Sequence, residues 1–249
     1  MDDTTAAVPS GKAPPTLHHL FSSQSLRILW ALEELAAANS QPYSLKKYKR
    51  QNGIAPPELQ SIFPLGASPI LVIDPLPEFP DKERIVVTES RLILQYLADH
   101  YSNGIWSPTN STDKQRNEYW QEFAGATLTP KVDFVMLFDI LPPHVPFLIR
   151  PLVRAFCNAI ANVYKDHLVR PFKLMEGALS EERPWFAGER MGQADFLMSW
   201  PMDMAVQRGY FDASLYPKIA EWHRRILERP AYKRALEKGG SYDLVTFDF

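Results

Sequence analysis

The pattern of apolar residues changes near residue 102, and this change constrains the fold more than any other feature of the sequence. Before it, short apolar runs rich in β-branched residues alternate with stretches of helical periodicity. After Asp113, no convincing alternation of apolar and polar residues marks a strand, and helical periodicity dominates. The sequence therefore predicts an α/β layer followed by an all-α domain.

The first half predicts the order strand, helix, strand, short helix, strand, strand, helix. The first two strands flank a helix and should be parallel, whereas the last two should form a hairpin with a proline-rich loop. The predicted strands cover residues 17–21, 43–48, 70–73 and 84–87, and the predicted helices cover 26–38, 56–62 and 89–101.

Five segments follow from this change of pattern. The chain of 249 residues is long enough for two domains that each bury a core. We expect a disordered tail at 1–15, an α/β domain at 16–101, a linker at 102–112, an all-helical domain at 113–238 and a C-terminal tail at 239–249.

Composition argues against several classes of function. A formal net charge of −2 gives the whole chain no electrostatic attraction to nucleic acid or anionic lipid. No apolar run reaches the roughly 18 residues that a transmembrane helix needs, and the first residues lack the apolar centre of a secretory signal. The single cysteine, Cys157, allows no intrachain disulfide. Together these features predict a cytoplasmic protein without an integral membrane segment.

Three local features of the first half could carry chemistry. Ser23 opens the first predicted helix, where free N–H groups favour an anion, although serine is also a favoured N-cap. Ser68 precedes Pro69 at a strand start, where a cis bond would turn the Ser68 main chain outward, although an ordinary loop proline would also fit. Glu89 and Ser90 open a helix, either as first-turn capping residues or as a grip on the charged ends of a ligand. Their order places all three at one end of the α/β layer, which would suit a small zwitterionic, peptide-like ligand.

Residues 17–236 resemble the glutathione transferases in five segments that stand in the right order. FSSQSLRILWALEEL is similar to the catalytic-serine loop and first helix of theta-like and fungal members, and APPELQSIFPLGASPIL to the stretch that leads into their cis-proline. VTESRLILQYLADHY is similar to their Glu-Ser helix, and ADFLMSWPMDMA and PKIAEWHRRILERPAYKRAL to helices of their second domain. The resemblance implies a thioredoxin-like, glutathione-binding domain followed by an all-α helical bundle, and a fungal or yeast-like subgroup.

The resemblance also implies a role for each matched residue. Ser23 would donate its hydroxyl to the glutathione sulfur and favour the thiolate, with Ser22 as the alternative. Ser68, just before Pro69, would pair its main chain with the cysteinyl unit. The other implied contacts are Glu89 and Ser90 with the γ-glutamyl end, Arg50 with the glycine carboxylate, and Phe21, Trp120 and Phe123 in an acceptor pocket. The last two aromatic residues could equally serve as core or interface packing.

The implied activity is conjugation of glutathione, as co-substrate, to a small hydrophobic electrophile, as in detoxification. A glutathione-dependent peroxidase or ether-cleaving enzyme on the same site is one alternative, and a non-catalytic ligand-binding or regulatory protein is another. Two departures keep the last one open. Ala67 stands where many relatives carry a basic residue, and Gly192 leaves the capping box before Asp195 incomplete. The family implies a homodimer, with no metal and no nucleic acid.

Other features have simpler explanations. His18 and His19 are adjacent on a predicted strand, so their side chains diverge and cannot share a metal. Cys157 lies in an apolar helix and is expected to be buried rather than nucleophilic. Residues 145–154 could touch a membrane surface, but we expect them to form the packed start of a helix or the wall of a pocket.

Overall fold

The computed structural model of the chain describes residues 12–78, 81 and 83–247. It divides into two compact units, one formed by the chain up to Ile105 and again from Pro230, and one by Trp106–Arg229. Residues 1–11, most of the predicted disordered tail, lie outside the described residues. The next residues are ordered, since the main-chain oxygens of Ala13 and Pro15 accept hydrogen bonds from the Tyr101 hydroxyl and the Ser44 N–H.

A four-stranded sheet in the order β2-β1-β3-β4 forms the centre of the first unit. Its strands are β1 (Thr16–Leu20), β2 (Ser44–Tyr48), β3 (Ile70–Ile73) and β4 (Ile85–Thr88). β1 pairs with β2 in parallel and with β3 in antiparallel fashion, and β3 and β4 form an antiparallel hairpin. The predicted parallel pair and the predicted hairpin are both confirmed.

Helix α1 (Leu26–Asn39) and helix α2 (Ser90–His100) complete the α/β layer, with a 3₁₀ turn at Pro57–Ser61 between β2 and β3. α1 is buried over most of its surface, because Ile28, Leu29 and Leu32 are all fully buried. Such burial on several faces is typical of a helix enclosed by its own domain. The thioredoxin-like α/β fold class is therefore confirmed.

Helix α8 (Pro230–Gly239) packs against α1 and belongs to the first unit. The ring of Tyr232 meets Trp30 edge-on at 5.5 Å. The buried carboxylate of Glu33 accepts hydrogen bonds from Arg234 at 2.7 Å and Lys238 at 2.6 Å. The sequence predicts residues 230–238 as part of the all-helical domain, whereas in the structure these contacts join α8 to α1 in the first unit.

The described residues of the second unit form helices joined by loops, with no strand, as predicted. Its helices are α3 (Ser111–Glu122), α4 (Thr129–Ile140), α5 (Arg150–Ala178), α6 (Gln193–Gln207) and α7 (Pro217–Glu228). α3 and α4 are joined by π-helical Phe123–Leu128, just before Pro130 in the first turn of α4. Proline lacks an N–H and clashes with the carbonyl four residues earlier, and a π turn relieves that clash. In the described part of the chain, none of the helices has the length and apolar character of a membrane span.

Asp195, in the first turn of α6, organises the core of the second unit. Its buried carboxylate accepts hydrogen bonds from the main-chain N–H groups of Phe186 and Gly192 at 2.8 and 3.0 Å, and from the Trp222 indole at 2.8 Å. These donors favour the ionised carboxylate despite its complete burial, which raises its pKa. The carboxylate therefore ties α6 and α7 to the loop before α6.

Asn117 of α3 supplies the helix cap that Gly192 cannot. The Asn117 side-chain oxygen accepts the Ala194 N–H at 3.0 Å, the role that a serine or threonine N-cap would play. A Cβ at position 192 would lie 3.1 Å from this oxygen and 2.7 Å from the Ala187 side chain, so glycine fits the close approach. The incomplete capping box is thus completed from another helix.

Candidate active site

The loop between β1 and α1 carries the serine residues on which the predicted chemistry depends. The Ser23 hydroxyl donates to the main-chain oxygen of Leu20 at 2.7 Å and accepts the Ser25 N–H at 3.2 Å. Only 5% of Ser23 is exposed. The Leu26 N–H, at the first residue of α1, donates to the Ser23 carbonyl at 3.2 Å. The Ser23 hydroxyl therefore lies beside the first N–H groups of α1, at its positive end.

Ser22, the alternative catalytic serine, is held by the C-terminal segment, which we define as residues 240–247. The Ser22 N–H donates to the Ser241 carbonyl at 3.0 Å, and the Ser22 hydroxyl accepts the Asp243 N–H at 3.1 Å. Ser22 is fully buried and adopts a left-handed backbone conformation, with φ of 48°. These contacts show that Ser22 shapes the loop and joins it to the C-terminal segment.

The loop before β3 meets the serine loop at Leu20. The Ser68–Pro69 bond is cis, as the motif suggested. The Ser68 hydroxyl accepts the Leu20 N–H at 3.1 Å and donates to the His18 carbonyl at 2.9 Å. Because the side chain makes these contacts with β1, the Ser68 main chain is left without a hydrogen-bond partner among the described residues.

The start of α2 is tied to the start of α1 by Arg27. Its guanidinium, which is largely buried, donates to the Ser90 hydroxyl at 2.9 Å. Glu89 precedes α2 with φ of 64°, a conformation that is costly for a residue with a side chain and that clusters at functional sites. The Glu89 side chain is exposed. Sequence patterns do not mark this bond, because Arg27 and Ser90 lie far apart in the chain.

Arg50 lies beside the serine loop, as its predicted role requires. It donates to the Ser22 carbonyl and to the Gly53 carbonyl, each at 3.4 Å. Its guanidinium also lies over the ring of Phe247 in the C-terminal segment, 5.6 Å from the ring centre. The structure thus brings Arg50, Ser22 and Ser23 together at one end of the sheet.

The three predicted acceptor residues have different surroundings. Phe21 lies against Gly240 so closely that a Cβ there would come within 2.8 Å of its ring. Trp120 is almost fully buried against Phe186, with ring centres 4.8 Å apart, and this is core packing. Phe123 lines a groove of about 600 Å³ in the second unit, together with Leu174 and several charged residues of α4 and α5.

His18 and His19 point to different partners, as predicted for neighbours on a strand. His18 Nδ1 lies 2.8 Å from the Tyr48 hydroxyl, and His19 Nδ1 lies 2.7 Å from the Ser25 hydroxyl. Burial lowers the pKa of His19 to about 4, so its ring is neutral at pH 7. His19 therefore supports the serine loop through its contact with Ser25. In the parts of the chain that the structure describes, no cluster of ligands could hold a metal ion.

Comparison with known proteins gives the same family as the motifs. The sequence model of the glutathione S-transferase N-terminal domain matches residues 21–100, and that of the C-terminal domain matches residues 140–230. Glutathione S-transferase 3 of Schizosaccharomyces pombe is 34% identical over 93% of this chain and 90% of its own length. Glutathione S-transferase 1 of Saccharomyces cerevisiae is 31% identical over 89% of this chain and 94% of its own length.

A similar solved structure also belongs to a glutathione transferase. The glutathione transferase URE2P8 of Phanerochaete chrysosporium, solved with oxidized glutathione, is 25% identical and has a TM-score of 0.69. The match covers 93% of this chain and 97% of that one. Full-length similarity to two yeast proteins, both domain models and the shared fold lead to one conclusion: the chain is an enzyme of the glutathione S-transferase family, of the fungal type.

Proposed function

We propose that the chain conjugates glutathione to a small hydrophobic electrophile, with the Ser23 hydroxyl stabilising the glutathione thiolate. The observation that carries this proposal is the place of Ser23 Oγ, 2.7 Å from the Leu20 carbonyl and beside the first N–H groups of α1. A hydroxyl that already accepts an N–H is polarised toward donating its own proton. Turning from the carbonyl to a bound sulfur would bring that proton to the thiolate.

These groups can supply most of the required stabilisation. A thiol with a pKa of about 8.5 is only about 3% ionised at pH 7, and lowering the pKa by about two units needs roughly 2.7 kcal/mol of preferential thiolate binding. A hydrogen bond to a charged acceptor contributes about 1.5–3 kcal/mol and a helix N-terminus about 0.3–1 kcal/mol. The thiolate would then attack an electrophilic carbon held beside it.

Glutathione would bind along the end of the sheet where the described motifs meet. The unpaired Ser68 main chain before Pro69 suits the cysteinyl unit, in the manner of an added strand. The exposed Glu89 carboxylate and the Ser90 hydroxyl suit the ammonium and carboxylate groups of the γ-glutamyl end. Arg50, beside Ser22, suits the glycine carboxylate, which would compensate for the missing basic residue at Ala67.

The acceptor electrophile would meet apolar aromatic surface. In the first unit, Phe21 stays a proposed contact of the electrophile because it follows β1 directly. In the second unit, Phe123 stays a proposed contact because it borders an open groove. Trp120 would support Phe123 from the core of the second unit. Its ring centre lies 4.8 Å from that of Phe123 and 4.8 Å from that of Phe186. We also propose that the enzyme is cytoplasmic and forms a homodimer. Size-exclusion chromatography with light scattering would test the homodimer.

Two other functions use the same site. The thiolate could reduce a hydroperoxide or cleave an aryl ether, and turnover of those substrates with little conjugation would select that alternative. A non-catalytic binding protein is disfavoured by the Asn117 contact, because the capping box at Gly192 is no longer a defect of the fold.

Replacement of Ser23 by Ala tests the proposal, with Ser22→Ala as the matched control. Conjugation of a chromogenic aromatic halide should fall by about tenfold in kcat/KM for Ser23→Ala, while calorimetry shows glutathione still binding. Ser22→Ala should disturb the loop and raise KM more than it lowers kcat. A Ser23→Ala enzyme with unchanged turnover would exclude Ser23 as the thiolate partner.

A further inference from the structure

An exposed apolar tip joins α4 to α5 in the second unit. We define this tip by the residues Leu141, Phe147, Leu148, Ile149, Leu152 and Phe156. Phe147, Leu148 and Leu152 are 74%, 78% and 74% exposed, and Phe156 is 65% exposed. The expected packed start of a helix is therefore not what the structure shows. So many large apolar side chains in one exposed cluster mark a site of interaction.

The tip is basic as well as apolar. Residues 140–156 contain no aspartate or glutamate, whereas they include Arg150 and Arg154. Arg154 is exposed one turn into α5. Asp139, the acidic residue just before this stretch, is engaged by the Tyr210 hydroxyl. The whole-chain charge of −2 therefore hides a local positive region around the tip.

Part of the main chain of the tip is already satisfied within the tip. Four of its positions between 141 and 151 are prolines, which have no N–H. The N–H groups of His144 and Ile149 donate to Leu141 and Pro146, and the Arg150 guanidinium donates to the Pro143 and Val145 carbonyls at 3.1 and 3.4 Å. Satisfied main-chain groups lower the cost of leaving water for an apolar medium.

We propose that this tip inserts into the surface of an anionic lipid bilayer. Interfacial segments of this kind bury their apolar side chains roughly 5–10 Å into the boundary of the bilayer. Apolar side chains would enter the boundary between headgroups and acyl chains, while Arg150 and Arg154 would meet lipid phosphates and carboxylates. A short exposed segment fits a deformable lipid surface better than a second copy of the chain, which needs a broad complementary face.

Vesicle flotation of the full chain tests this proposal. Binding should be strong to phosphatidylcholine vesicles with about 30% phosphatidylserine, and weak to phosphatidylcholine alone. The double variant Phe147→Ser/Leu148→Ser should lower binding by about tenfold or more. The control Leu65→Ser/Leu215→Ser removes residues that are 65% and 66% exposed elsewhere and should bind as the wild type does. Arg154→Gln should weaken binding to the anionic vesicles by about fivefold.

Three results would overturn the proposal. One is a wild-type chain that floats with neither kind of vesicle. Another is a tip double variant that binds as tightly as wild type while its thermal unfolding shows it to be folded. The third is analytical ultracentrifugation in which the tip variant is a monomer and the Leu65/Leu215 control a dimer, because a second copy would then cover the tip.

Discussion

The Ser23 hydroxyl donates its proton to the Leu20 carbonyl across 2.7 Å. To stabilise a thiolate it must leave this neutral acceptor, so its net contribution is the difference between a charged and a neutral hydrogen bond. That difference is about 1–1.5 kcal/mol, which corresponds to about tenfold in an equilibrium constant. The N-terminus of α1 and the remaining site must therefore supply the rest of any larger thiol pKa shift.

Removal of residues 241–249 should weaken glutathione binding by about tenfold. The C-terminal segment holds Ser22 through Ser241 and Asp243, and buries Phe247 against Arg50. Without it, the serine loop and Arg50 would lose their fixed positions. Calorimetric titration with glutathione measures the effect. Val245→Ser, at a half-exposed position of the same segment, is the control and should bind normally.

Asp195→Ala should lower the free energy of unfolding by about 3–5 kcal/mol. The change leaves the buried N–H groups of Phe186, Gly192 and the Trp222 indole without their acceptor. Urea denaturation followed by tryptophan fluorescence measures it. Asp212→Ala, an exposed acid that bonds only to its own loop, should change stability by less than about 0.5 kcal/mol. Equal effects of both changes would contradict the assigned role of Asp195.

Asn117→Ala should lower the unfolding free energy by about 1–2 kcal/mol, because it removes the cap on the Ala194 N–H. Restoring a local cap with Gly192→Ser should not rescue it, since a Cβ at position 192 would collide with the Ala187 side chain at 2.7 Å. Denaturation of the single and double variants checks both statements. Rescue by serine would show that the glycine is not required by packing.

Stability should fall below about pH 6.5 in part through His19. Burial lowers its folded-state pKa to about 4 from the ordinary value of 6.5, so the unfolded chain takes up a proton first as pH falls. His19 does not lower the free energy of unfolding above its unfolded-state pKa. Between pH 7.5 and pH 5 it lowers the free energy of unfolding by about 2 kcal/mol. His19→Gln should flatten the pH dependence by that amount. An unchanged slope in denaturation series would contradict a buried neutral His19.

The sequence alone was enough for the elements and the motifs of the α/β layer. Local periodicity predicted the strands, the hairpin and α1. The proline before β3 marked the position of the cis bond, Ser68–Pro69. The partners of those motifs could not be predicted, because they come from distant parts of the chain. Ser22 meets Ser241, and Asn117 meets Ala194, with no local pattern to mark either pair.

The same reason explains the misplaced α8 and the unexpected tip. Helical periodicity shows that residues 230–239 form a helix, but only the Glu33 contacts show which unit it joins. An apolar run such as residues 145–156 has the same composition whether it is packed or exposed. Only its side-chain exposure distinguishes an interaction surface from a core.

The thiol pKa of bound glutathione tests the central claim most directly. Ultraviolet titration of thiolate absorbance should be run on the complexes of the wild type, Ser23→Ala and Ser22→Ala. We predict a wild-type pKa well below the value of about 8.5 for a free thiol, a rise of about one unit in Ser23→Ala, and little change in Ser22→Ala. A bound thiol whose pKa is the same with and without the Ser23 hydroxyl would contradict the account.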